Sequence, residues 1–250
     1  MNSRGAGIVG RLAASRREVA GALTCVVVGL VLASVIGEFF RVHLGFGNVF
    51  GIPKLRDVRM ENNLPTWYSA AALLACAILS LRVALLEGAN RLPRWYILAA
   101  VFAYLCADEL FKIHERLGTP LGKGAIGAFG ITSADLGFRR AWAVYGAALA
   151  VVVGLVCIWL FSDLPPRLLR LFVVAGGLYV FGAVALEVFY GRLEFLYGAG
   201  DTRALRMLFA AIEEFLEMMG VVITIYALLS YLHPYLNSSP TPGMRGANTE

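Results

Sequence analysis

The chain has 250 residues, 59% of them hydrophobic and only 16% charged, with a formal net charge of +5. A mean hydropathy of +0.71 excludes an ordinary soluble domain, and arginines scattered through loops and tails rather than gathered in one stripe exclude a nucleic-acid partner. Four cysteines, Cys25, Cys76, Cys106 and Cys157, lie in apolar runs without CxxC spacing, which argues against a disulfide framework or a zinc ribbon.

Residues 1–19 carry Arg4, Arg11, Arg16 and Arg17 ahead of an apolar run longer than that of a secretory signal, so a cytoplasmic segment followed by an uncleaved helix is expected. Six stretches then follow in order: Ala20 to Phe40, Trp67 to Leu86, Trp95 to Ile113, Ala141 to Phe161, Leu168 to Tyr190 and Leu208 to Leu232. Each is long and apolar enough to cross about 30 Å of hydrocarbon as a helix. They predict an all-α fold, a polytopic bundle of six transmembrane helices over residues 20–232. Trp67, Trp95, Trp142 and Trp159 fall at the helix ends, where amphipathic rings favour the headgroup layer, and Pro93, Pro165, Pro166 and Pro234 mark turns. The connections 41–66, 87–94, 114–140, 162–167 and 191–207 alternate long and short, so the long ones share a face. Residues 233–250, rich in Ser, Pro and Gly, are expected to form a disordered tail.

Because successive helices reverse direction, each acid can be assigned to a face by counting crossings. Glu38 ends the first helix, Glu61 precedes the second, Asp108 to Glu115 end the third, Glu187 ends the fifth, and Glu213, Glu214 and Glu217 open the sixth. All share the face of the long loops. At 1.5 Å per residue, Asp108 and Glu217 lie about 8 to 10 Å inside a 30 Å slab. Carboxylates at that depth need protons, partners, water or a cation.

Asp108, Glu109, His114 and Glu115 with Glu213, Glu214 and Glu217 are therefore candidate ligands of a divalent metal. Glu38, Glu61, Asn62, Asn63, Lys112 and Glu187 are candidates for a surrounding shell. Asp108, Lys112 and Glu115 fall on one helical stripe, with Lys112 as internal counter-charge. Oxygen donors with one imidazole favour iron, manganese or magnesium over zinc or copper. An ion-pair network that fixes bundle geometry is the alternative reading of the same acids. Asn62 and Asn63 also suit an N-cap of the second helix. Met218 and Met219 are read as packing, Gly176 and Gly177 as a close helix contact, and Gly220 as a place where a neighbouring backbone approaches.

No dinucleotide or phosphate loop, GxSxG, mid-membrane Schiff-base lysine or histidine pair for haem occurs, so no residue is assigned a catalytic role. The joint motifs "ENNLPTWYS", "ADELFKIHERLG" and "EEFLEMMG", spanning Glu61 to Leu232, resemble an uncharacterised group of small bacterial polytopic membrane proteins. The resemblance implies a bacterial cytoplasmic membrane and carries no catalytic assignment. Arg82, Arg91, Arg94, Arg167 and Arg170 crowd the short connections, which places both termini in the cytoplasm and the acids on the outer side. Three functions follow as expectations: a metal-dependent enzyme acting on a lipid or amphiphile, a cation- or proton-coupled transporter, and a non-catalytic scaffold or accessory subunit. Membrane lipids are the expected partners, with a homo-oligomer or a membrane-complex subunit as further ones.

Overall fold

A computed structural model describes residues 16–43, 63–87, 92–128, 130, 142–198 and 203–237. The described residues form α1 (Arg16–His43), α2 (Leu64–Glu87), α3 (Leu92–Phe111), α4 (Ile113–Gly127), α5 (Trp142–Leu160), α6 (Pro166–Val180), a π-helical turn (Phe181–Leu186), α7 (Glu187–Tyr197) and α8 (Arg203–Asn237), with no strand among them. The six expected apolar stretches are mainly helical where they are described, but the third runs past the end of α3 at Phe111 into α4, and the fifth is divided among α6, the π turn and α7. Four spans, Arg16–Gly37, Leu64–Glu87, Pro166–Tyr197 and Leu205–Tyr235, are long and apolar enough to cross a membrane, which marks a membrane protein. α3 carries Arg94, Asp108 and Glu109, and the described apolar part of α5, Tyr145–Leu160, is shorter. Outward-facing Leu32, Ile36, Leu74, Ile78, Val151 and Leu155 form the apolar exterior that a lipid environment tolerates and water does not.

Several expected boundaries differ. The connection 114–140 contains α4, and α8 continues through Pro234 to Asn237, past the anticipated end at Leu232. Residues 238–250 lie outside the described residues, as do 1–15.

α8 is the central helix, packing on α1, α2, α6 and the π turn. Leu73, Cys76, Val83 and Ala84 of α2 meet Val221, Ile225 and Leu228 of α8 in the main core, and Val27 of α1 meets Met218 and Val222 in a smaller one. Small side chains on α2 let the helices approach closely enough that the Cys76 thiol lies 3.9 Å from the Val221 carbonyl. The expected backbone approach at Gly220 is present, since a Cβ there would sit 2.6 Å from the Ala175 carbonyl oxygen. Gly176 and Gly177 make no such contact, because a Cβ on either meets nothing within 4 Å.

A buried polar cluster closes one end of the bundle. Glu87 accepts hydrogen bonds from Trp95 Nε1 at 2.5 Å, Arg94 Nη2 at 3.1 Å and the Tyr231 hydroxyl, while Arg94 Nη1 reaches Asp163 at 2.5 Å. The cluster ties α2, α3, the turn before α6 and α8 together. The expected tryptophan belt is only partly present, since Trp67 and Trp159 face outward but Trp95 and Trp142 are buried, and the cluster accounts for the first of these two. Trp95 is held inward because Glu87 gives its indole N–H an acceptor.

Candidate functional site

The far end of α3 breaks at Lys112, whose φ of 50° lies in the left-handed region that L side chains seldom occupy. The break has a local cause. Asp108 Oδ1 accepts the backbone N–H of His114 at 2.6 Å, meeting one of the free donors at the start of α4, and Asp108 Oδ2 lies 2.6 Å from His114 Nδ1. The His114 ring in turn packs on Trp142, with centroids 4.6 Å apart. The expected continuous stripe through Asp108, Lys112 and Glu115 is therefore interrupted, because the helix changes direction between its members.

Beside this corner lies a cavity of about 1220 Å³. Its polar end receives Asp108, Glu109, Lys112 and His114 from the α3–α4 corner, Glu187 from α7, and Glu213, Glu214 and Glu217 from α8. Its apolar length runs along Ile97, Val101, Leu149, Val153, Phe172 and Val173. α5 packs mainly on α4 and touches α6 and the π turn at few points, so the space between α3, α5, α6 and α8 is left unfilled. From Ile97 to Glu109 the cavity follows α3 for about 18 Å.

The two acids central to the sequence argument therefore reach one space. Asp108 lies about 20 Å along α3 from Trp95, and Glu217 about 21 Å along α8 from Tyr231. The Trp95 and Tyr231 rings touch, with centroids 5.0 Å apart. Antiparallel helices joined at one end bring equal offsets to the same height. On α8, Glu213, Glu217, Gly220 and Thr224 recur at the three- and four-residue spacing that puts one stripe against the cavity.

Electrostatic coupling follows this arrangement. Glu217 interacts with Glu213, Glu214, Glu109 and Glu187, while Lys112 acts on both Glu109 and Glu214. The π turn brings Glu187 within that reach. Gly182 in its first turn allows the approach, since a Cβ there would lie 3.0 Å from the Glu213 carbonyl oxygen and 3.1 Å from Glu217 Cγ. π turns of this kind occur often at functional sites.

Other expected site residues are elsewhere. Asn63 is buried and caps α2, accepting the Thr66 N–H at 2.7 Å. Glu61 and Asn62 lie outside the described residues, and the side chains of Glu38 and Glu115 are likewise outside them. Among the described residues no three His, Cys, Asp or Glu side chains stand close enough together to hold a metal ion.

The sequence reading missed several cavity residues. Tyr190 and Trp142 line the cavity, yet Tyr190 Oη and Trp142 Nε1 are buried and have no hydrogen-bond partner among the described residues. Tyr104, Tyr145 and Tyr179 add further rings, and Arg206 a guanidinium. Tyr190 stands three residues after Glu187, and that spacing was its available signal. Trp142 offered only its position at a helix end, which pointed to the headgroup layer.

Residues 20–232 match a protein family described as "Domain of unknown function (DUF8692)". No curated protein and no solved structure matches the chain.

Proposed function

The chain belongs to the DUF8692 family, and we propose that it is a six-helix protein of a bacterial cytoplasmic membrane that takes an amphiphile or lipid into its carboxylate-lined cavity. One observation carries this reading: a single cavity of about 1220 Å³ joins an apolar length to a cluster of acids. Such a space matches a molecule with a tail and a polar head. Apolar walls hold the tail by burial, and few, localised polar groups orient the head. With the termini in the cytoplasm, as the arginine-rich short connections favour, the acids lie towards the outer leaflet.

Glu109, Glu213, Glu214 and Glu217 offer the oxygen donors that suit magnesium, manganese or iron. A metal-dependent reaction on the bound amphiphile remains within this proposal, with the carboxylates drawing together around the ion. Metal analysis of purified protein checks that extension. Retention of magnesium, manganese or iron that falls in Glu217→Gln supports it, and retention unchanged by the substitution removes these acids from the site.

The amphiphile reading is tested by native mass spectrometry after purification in a neutral detergent. A co-purified amphiphile is expected with the unmodified chain and its loss with Gly177→Trp, which adds a large ring at a cavity-lining position where a Cβ meets nothing within 4 Å. Equal retention by both proteins overturns the reading.

A cation- or proton-coupled carrier is the second reading, favoured by the length of the cavity along α3. Cation-driven flux in proteoliposomes that disappears in Glu213→Gln and Glu217→Gln supports it, whereas unchanged flux excludes these acids from the route.

A further inference from the structure

We infer that the cavity takes a single-chain amphiphile with a protonated amine head, the ammonium seated among Glu213, Glu214 and Glu217 beside Tyr190 and Trp142. This rests on the amphiphile reading of the same cavity and assigns the chemistry of the head.

Three observations converge on that assignment. The first is charge. Among the described residues, the polar end is lined by six carboxyl side chains, those of Asp108, Glu109, Glu187, Glu213, Glu214 and Glu217, and by the basic groups of Lys112, Arg206 and His114. An anionic head would enter against that excess, whereas an ammonium entering it is attracted by several carboxylates at once. In a space walled by apolar helices such attraction is screened far less than in water.

The second is the pair of unsatisfied polar atoms. Tyr190 is 3% exposed and Trp142 8% exposed, and neither the phenol oxygen nor the indole N–H has a partner among the described residues. Buried polar groups in native proteins are nearly always satisfied, so such orphans at a cavity wall mark groups that a ligand completes. The phenol oxygen can accept a hydrogen bond from an ammonium. The indole N–H donates, and so calls for an oxygen on the head, such as a hydroxyl next to the amine.

The third is aromatic content. Tyr104, Trp142, Tyr145, Tyr179 and Tyr190 all contribute to the cavity lining. Aromatic faces attract cations through their quadrupoles, and rings combined with carboxylates are the chemistry by which proteins hold alkylammonium groups. Neutral lipid heads gain nothing comparable from such a lining.

The tail follows from the shape. An apolar wall about 12 Å long on α3, from Ile97 to Leu105, faced by Leu149 and Val153 of α5, matches one extended chain running from the acids towards the Trp95 end.

The test uses the full chain in maltoside micelles and compares binding of dodecylamine, dodecanol and dodecanoate by native mass spectrometry and thermal shift. Dodecylamine is expected to bind at least about tenfold more tightly than dodecanol. The Glu214→Gln/Glu217→Gln double variant should abolish that preference while retaining dodecanol. Gly177→Trp should lose both ligands. Single-peak elution and a cooperative melt establish that each variant is folded, and Glu213→Gln serves as a second carboxylate variant. Equal binding of amine and alcohol, or preference for dodecanoate, overturns the head assignment and leaves the amphiphile reading standing. Failure of all three probes to bind overturns both.

Discussion

Asp108 is held at both carboxylate oxygens, one by the backbone N–H of His114 and the other by its ring, each at 2.6 Å. Its main work is therefore to fix the corner at Lys112 and present His114 to the cavity, while Glu217 stands among like charges. The two carboxyls should respond differently to neutralisation. Asp108→Ala removes the acceptor for a helix-start donor and should lower stability by about 1–3 kcal/mol, read from thermal unfolding in detergent. Glu217→Gln keeps the shape and removes one member of a repelling group, so its melting temperature should stay level or rise. A comparable drop in both would show that Glu217 also holds the fold together. At this scale the sequence was partly legible: the common height of Asp108 and Glu217 along their helices followed from helix rise alone. The engagement of Asp108 with His114 did not, because it needs a lysine at positive φ, and hydropathy carries no trace of a backbone dihedral.

Among the elements, helix positions were the most legible feature, since an apolar run of about 20 residues has few other solutions in lipid. α4 was not, because "IHERLGTPLGKGAIG" mixes glycine, proline and charge in a composition that reads as a loop. The glycines show the same limit. Sequence alone ranked Gly176 and Gly177 with Gly220 as contact points, but only the packing of α6 on α8 separates them. Gly220→Ala should force α6 and α8 apart and cost about 1–3 kcal/mol, whereas Gly177→Ala should be tolerated. Thermal unfolding of the two variants side by side checks this, and equal losses would contradict the interface geometry.

At the scale of the molecule, clustered charged side chains among the described residues gather at two ends of the bundle. Glu87, Arg94, Asp163 and Tyr231 close one, and the acids with His114 and Lys112 occupy the other. Counting crossings had put the second group's acids on one face, but it could not foresee that one end is a packed network and the other a cavity. That outcome depends on α5 standing away from α3. With Cys25, Cys76, Cys106 and Cys157 replaced by alanine, single cysteines introduced as Asp163→Cys and Arg116→Cys should react with a membrane-impermeant maleimide from opposite sides of a sealed vesicle. Labelling of both from one side would refute the proposed six-crossing arrangement. The π turn between α6 and α7 gives this architecture a point of unusual sensitivity. The turn absorbs one residue more than ordinary winding would, so deleting Ala183 alone should restore an α-helix with Glu187 and Tyr190 close to their present phase, whereas deleting Ala183 and Val184 together should swing them by about 100°. The doubly deleted protein should still insert and melt cooperatively yet retain no amphiphile in native mass spectrometry. The second lost codon, not the first, would then leave the scaffold standing with its site turned to the wall.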